Sequence, residues 1–422
     1  MAAPAVLPSF SSADRRELTA EAGDLIDRLR RHGGGADGSV TRLVYTPAWQ
    51  AAMADIEDWL TSGGLEVRAD AVGSRFGRLA GESREVVLSG SHTDSVRAGG
   101  AYDGVLGVVM AGCAVRWLVA SLGRPKRTIE VFANCEEESS RFASNFWGSR
   151  AIAGQIAPDE AERLTDADGN TIGAAMRSCG LDPTRIHEAT RRDLVAFVEP
   201  HIEQGPELAE AGDVVGVVDQ VVGVRGLRVS FQGVAGHAGT IPMARRRDAL
   251  AGAAEVVLAA ERIANEQGAP AVATVGHLDV QPGGFNQVPG SAHFTIDFRH
   301  PTETVLDDME ERLLRLLDTV AAERALEVRV KPLIGQPGIR FDDRVCGILE
   351  TACRESGVPW RRMPSHAGHD AQLIGTLCPA AMLFLPSQGG HSHRPDEHTD
   401  IVHVGCGIEV LVRTLFRLGW GG

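Results

Sequence analysis

The residues able to do chemistry stand in short, separated clusters. His92 lies in Ser91-His92-Thr93-Asp94, directly after the apolar run Val86–Leu88. A histidine after a strand serves as a structural side chain as readily as a ligand. Asp94, two residues on, stands where it can orient the imidazole, as metal-bound histidines require. Asp103 lies in GGAYDGVLG, a glycine-rich turn opening a helix. Its carboxylate either caps that helix or bridges two cations. The strand-like run Thr128–Ala133 ends in Asn134-Cys135-Glu136-Glu137-Glu138. Three adjacent carboxylates repel one another, so this stretch is either a solvated acidic turn or held by a compensating cation. His201 marks another strand end, and Gly389-Gly390-His391-Ser392-His393 follows the strand that stops at Leu385. Histidines and carboxylates gathered at strand ends suit a borderline divalent cation such as Zn2+, Mn2+, Co2+ or Ni2+.

The hydrophobic pattern supplies the elements that position these groups. It predicts helices over Arg15–Arg31 and Thr46–Ser62, strands over Leu65–Ala69 and Glu85–Leu88, a buried helix over Gly104–Leu122 and a buried strand over Thr128–Ala133. Apolar strands alternating with helices define an α/β layer fold, which binds ligands beyond the carboxyl ends of its strands. The middle of the chain reads differently. Strand Arg225–Gln232, helix Arg245–Glu266, strands Ala271–Asp279 and Ser291–Arg299, helix Thr302–Ala325 and strand Leu326–Pro332 form a ferredoxin-like α+β series. The α/β pattern then resumes with helix Asp342–Gly357 and strand Ala380–Leu385. The expected architecture is a larger metal-binding α/β domain, residues 1–215 and 335–422, with a smaller α+β domain, residues 216–334, inserted into it.

A net charge of -14 with no basic stripe argues against a nucleic-acid partner. A small anionic substrate is compatible with that charge, because one arginine can bind a carboxylate locally. Seven scattered cysteines without a CxxC pair read as reduced thiols. The opening MAAPAVLPSFSSADRREL lacks a basic start followed by an apolar core, and apolar runs such as Val105–Val119 are too short to span a bilayer. A cytoplasmic protein without a membrane partner is therefore expected.

Ordered motifs extend this reading. GSHTDS, GGAYDGVLGV, CEEESSRF, WGSRAIAG, HIEQGPELAEAG, GHAGTIPMARRRDAL, FNQVPG, DFRH, HAGHDA and HSHRPDE follow one another along nearly the whole chain. In this order they resemble the M20 metallopeptidase clan. Within it, the chain is most similar to the amidase, hydantoinase and carbamoylase branch. That branch holds N-carbamoyl-L-amino-acid hydrolases, β-ureidopropionases, allantoate amidohydrolases and ureidoglycolate amidohydrolases.

The resemblance implies two divalent ions held by His92, Asp103, Glu138, His201 and His393, with Asp103 bridging them and Glu137 as general base. It leaves Glu136 without a catalytic role, as a supporting or surface residue. It makes the inserted domain a lid and dimerisation domain, so that a homodimer is expected. His237 would stabilise the oxyanion, while Asn286 and Arg299 would bind the substrate carboxylate. Gln204, His369 and Asp370 match further active-site positions. The remaining histidines His277, His293, His300, His398 and His403 read as structural or surface residues. The GHAGTIPM and HSHRPDE segments are most similar to carbamoylases. They imply a small carboxylate-bearing ureido or amide substrate, foremost an N-carbamoyl-L-amino acid. Allantoate, ureidoglycolate or another N-substituted amino acid is the alternative. The chain departs from the family pattern at Ser139, His366, His391 and Trp147, positions expected near the ions or the substrate cleft.

Overall fold

The computed structural model describes residues 7–421; the start of the N-terminal stretch read above for a leader lies outside them. The chain divides into two compact units. Of the described residues, one comprises those up to Asp219, Phe341–Met363 and those from Gly368 onward; the other comprises Gln220–Arg340 with Pro364–Ala367.

Among the described residues, the larger sheet has nine strands, most of them in the first unit. From one edge it runs Glu66–Ala69, Arg75–Leu79, Arg127–Asn134, Ser83–His92, Leu194–Ile202, Ala380–Leu385, Val215–Val221 and Ile339–Arg340, with Trp360–Ser365 also paired to Val215–Val221. The four strands Arg127–Asn134, Ser83–His92, Leu194–Ile202 and Ala380–Leu385 are mutually parallel. They read as continuous apolar runs because both faces are covered. Helix Val105–Ser121 packs on them and against helix Ile401–Gly419, and nearly every side chain of its first turns is buried.

Local chemistry sets the helix starts. Ser11 and Asp14 form a capping box ahead of Ser12–Arg30. The helix expected from Arg245 begins instead at Ala249. Pro242 and a short 3-10 turn precede it, and Asp248 caps the amide of Ala251. Helix Ile401–Gly419 was not expected from the sequence.

The second unit carries a four-stranded antiparallel sheet in the order Glu327–Gln336, Gly223–Gln232, Ser291–His300 and Val272–Gln281. Helices Ala249–Gln267 and Glu303–Glu323 bury their apolar stripes against one face. Strand, helix, two strands, helix, strand in this spatial order is the ferredoxin-like arrangement. The chain enters and leaves this unit through neighbouring segments: Val221 pairs with Ile339 and Gln220 with Arg340.

All seven cysteines are free, and all but Cys179 are buried. No helix among the described residues is long and apolar enough to cross a membrane.

Candidate metal centre

Three parallel strands end side by side and carry the chemistry. His92 is the last residue of Ser83–His92 and pairs with Asn134, the last of Arg127–Asn134. His201 stands one residue before the end of the adjacent strand Leu194–Ile202. Asp103 reaches the same place from the turn before Val105–Ser121. It does not cap that helix: the cap is Gly104, with φ of 67°, and no side chain bonds the first turn. A Cβ at Gly104 would lie 2.4 Å from the His92 ring, so only glycine lets the helix start this close to the imidazole.

The structure brings all five expected ligands together. Asp103 Oδ1 lies 3.2 Å from His201 Nε2 and 3.5 Å from His92 Nε2. Its Oδ2 lies 3.1 Å from His393 Nε2, which is 3.3 Å from Glu138 Oε1. The side chains form two donor groups, His92–Asp103–His201 and Asp103–Glu138–His393, with Asp103 in both; His92, Glu137 and Glu138 form a further group.

Tautomers decide what these groups can hold. His201 Nδ1 lies 2.9 Å from the Ile202 carbonyl, which can only accept, so the ring proton is on Nδ1. His92 Nδ1 faces the Asp94 carbonyl at 3.2 Å and its carboxylate at 3.3 Å, with the same consequence. Both Nε2 lone pairs therefore converge at 3.4 Å, beside a carboxylate oxygen. Asp103 Oδ1 and Glu138 Oε1 are buried and accept no hydrogen bond of good geometry. Converging electron pairs with no hydrogen between them fit a cation, and the nitrogen and oxygen donors suit a borderline divalent ion.

Without an ion, protons take that place. Burial works to raise Asp103, but His201, His393 and His92 outweigh it and hold the carboxylate well below its usual range. His393 is pushed up to about 10 by the Asp103 and Glu138 carboxylates that face it. Burial drives Glu137 well above the usual carboxylate range, with Glu138 and Asp370 adding to the rise.

An acidic layer supports the donors. Asp94 accepts the backbone N–H groups of Glu137 and Glu138 at 3.0 and 3.2 Å, which pins the turn carrying both carboxylates. Glu136 is not at the surface: it is 1% exposed and accepts from the Ser144 hydroxyl and the Trp147 amide. Burial, reinforced by Asp94, raises it to about 8. Gln204 donates from Nε2 to Asp103 Oδ2 at 2.9 Å. His369 packs edge-on against His201 with ring centroids 4.5 Å apart, and burial then His201 hold it well below the usual histidine range. Asp370 accepts from Ser149 and Asn134. Two buried acids that sequence reasoning passed over also belong here. Glu199 accepts from Ser91 and the Ala371 amide, and Glu397 binds the backbone of Asp103.

His237, Asn286 and Arg299 lie in the second unit. Strand Gly236–His237 pairs with Gln287–Val288, and the Ala238 amide donates to the Asn286 carbonyl at 2.9 Å, so His237 and Asn286 sit on one exposed two-stranded ribbon. His237 Nδ1 accepts from the Gly239 amide at 3.0 Å, which leaves Nε2 as the donor. Arg299 is forked onto Asp297 at 2.9 and 3.1 Å and also donates to the His366 carbonyl.

The departures from the family pattern resolve individually. Ser139 has φ of 56°, a backbone that favours glycine, and its hydroxyl accepts from the Asn145 amide at 2.7 Å. Trp147 does not line a cleft: it is wholly buried and donates to the Tyr45 hydroxyl. His391 pairs with Asp396 at 2.9 Å.

Parallel strands ending in carboxylate and histidine groups that share one aspartate define a metal-dependent hydrolase. The chain belongs to the family described as Peptidase family M20/M25/M40, which it matches over residues 86–417. It is 40% identical over 397 residues to the N-carbamoyl-L-amino-acid amidohydrolase of Paenarthrobacter aurescens, covering 93% of this chain and 96% of that one. To the allantoate amidohydrolase of Escherichia coli it is 38% identical over 394 residues, with the same two coverages. The crystal structure of an amidase of the hydantoinase/carbamoylase family from Burkholderia multivorans superposes with a TM-score of 0.87 at 33% identity, covering 94% of this chain and 97% of that chain.

Proposed function

We propose that the chain hydrolyses an N-carbamoyl-L-amino acid with one water to the amino acid, carbon dioxide and ammonia. The observation that carries the hydrolytic reading is the pair of donor groups sharing Asp103, with Glu137 beside them. Burial raises the affinity of the Glu137 carboxylate for a proton, as a group that takes one from water requires.

His92, Asp103, Glu138, His201 and His393 would hold two divalent ions, foremost Zn2+, with Mn2+, Co2+ or Ni2+ as substitutes. Such ions acidify water and polarise a carbonyl. Glu137 takes the proton of the attacking water and hands it to the leaving nitrogen. Asp94 keeps Glu137 in place through its backbone amide. His237 donates from Nε2 to the oxyanion. Asn286 and Arg299 hold the substrate carboxylate, Arg299 exchanging Asp297 for it. The second unit serves as lid and dimerisation domain of a homodimer.

The carbamoyl substrate is favoured by the GHAGTIPM and HSHRPDE segments. The near-equal likeness to an allantoate amidohydrolase supports a second reading, in which allantoate is the substrate. The test is ammonia release by metal-loaded protein from a panel of N-carbamoyl-L-amino acids, allantoate and N-acyl amino acids. Turnover of at least one carbamoyl substrate above the others is expected. Faster allantoate turnover establishes the second reading, and no turnover of any carbamoyl compound removes the first.

A further inference from the structure

Glu397 ends the HSHRPDE segment and is 5% exposed. Its two carboxylate oxygens divide their work between two loops. Oε1 accepts the backbone N–H groups of Tyr102 and Asp103, at 2.9 and 3.0 Å. Oε2 accepts from the Ser392 hydroxyl at 3.2 Å and from the His393 backbone N–H at 3.3 Å. The two loops are 294 residues apart in the chain and each delivers one expected ligand. The turn before Asp103 leaves room for this carboxylate: a Cβ on Gly100 would lie 2.2 Å from Glu397 Oε1.

The five ligands are not equally anchored. His92 and His201 are fixed by strands and are 2% and 1% exposed. The His393 side chain is 47% exposed, stands in a loop and has φ of 59°, a backbone that a non-glycine residue keeps only when its surroundings hold it. Besides the histidine's own contacts with Asp103 and Glu138 and the Gln204 amide between the two rims, the bonds from Glu397 and Ser392 tie this loop to Asp103 and its turn.

We infer that Glu397 is a positioning residue that clamps the His393 loop onto Asp103 and thereby sets the affinity of one ion position, the one built on Asp103, Glu138 and His393. This rests on the reading of those residues as ligands. In Glu397→Gln the amide oxygen can still serve one loop, but the amide nitrogen meets the donors of the other. The position held by His92 and His201 should keep its ion.

The experiment is titration of chelator-stripped full-length chain with Co2+, following bound equivalents by calorimetry and ligand geometry by visible absorption. Wild type should take two equivalents. Glu397→Gln should keep one at wild-type affinity and bind the second roughly 10- to 100-fold more weakly, the usual range for a group that orients a ligand. Glu397→Asp should fall between. Gly100→Ala, which crowds the carboxylate without changing its charge, should act in the same direction and covers the case in which Glu397→Gln does not fold. Two equivalents at wild-type affinity in both Glu397→Gln and Gly100→Ala overturn the proposal, as does equal weakening of both ions. A wild-type chain that binds no ion overturns the ligand reading, and the clamp with it.

Discussion

Glu137 and Glu138 are chain neighbours with different tasks, and their surroundings separate them. Glu138 lies against His393, whereas burial gives Glu137 a strongly raised affinity for a proton. Glu137→Gln should therefore retain bound metal while kcat falls by roughly 10²- to 10⁴-fold, the usual worth of a general base. Metal analysis together with steady-state rates checks this, and near-normal turnover would exclude Glu137 as the base. The histidines predict a pH effect on loading. His393 holds its proton up to about 10 in the metal-free chain, and His92 and His201 are raised as well. A raised value means that protons compete with the ion through the neutral range and cease to compete as pH climbs. Apparent metal affinity should then rise steadily between about pH 7 and about pH 9. Chelator competition across that range measures it, and a flat profile would show that these histidines carry no competing proton. The gathering of His92, Asp103, Glu138, His201 and His393 was legible because each closes a recognisable strand or motif. Glu397 was not, because its partners Asp103 and Tyr102 lie far away in sequence and no short-range pattern signals a bond between loops.

At the scale of elements, the strand Arg127–Asn134 carries the acidic turn and is itself braced from within. Glu130 is fully buried and meets Arg78 at 2.7 Å, Arg191 at 2.8 Å and Arg68 at 3.5 Å. Removing the charge leaves Arg191, with only 10% of its side chain exposed, paired with Asp193 alone, and takes the shared carboxylate from all three arginines. Glu130→Gln should destabilise the fold by about 3 kcal/mol, the low end for a broken buried pair because Arg68 and Arg78 reach solvent. A chemical-denaturation midpoint equal to that of wild type would refute it. The central strands and the helix Val105–Ser121 could be read from apolar runs alone. Helix Ile401–Gly419 could not, because Gly405 and Gly407 lower its apparent propensity. Both glycines serve packing: a Cβ at Gly407 would lie 2.6 Å from Met110, and one at Gly405 would lie 2.0 Å from the Thr19 hydroxyl. Tertiary proximity, invisible in a local window, selects them.

At the scale of the whole molecule, the α/β and ferredoxin-like patterns emerged from periodicity, since strands of period two and helices of period 3.6 alternate differently in the two units. The segment Pro364–Ala367, which clusters with the second unit, was not legible because it returns from elsewhere in the chain. The proposed homodimer makes a direct prediction. The sheet of the second unit ends in the edge strand Val272–Gln281, whose Val272 and Leu278 are 42% and 41% exposed, and such an edge invites pairing. Light scattering at micromolar concentration should give twice the chain mass, and a single-chain mass would remove the dimer. The paired neck at Val221–Ile339 and Gln220–Arg340 also bears on how the molecule folds. Closing that neck over an unfolded insert carries the entropy of a long loop, a cost that grows with the logarithm of its length. Once the insert has folded, its two ends already stand side by side and most of that cost is gone. The last edge of the large sheet should therefore close most readily once the inserted unit has folded. During synthesis the N-terminal strands can pair as they emerge, whereas Val215–Val221 should gain its outer neighbour most readily after the ferredoxin-like unit has closed behind it.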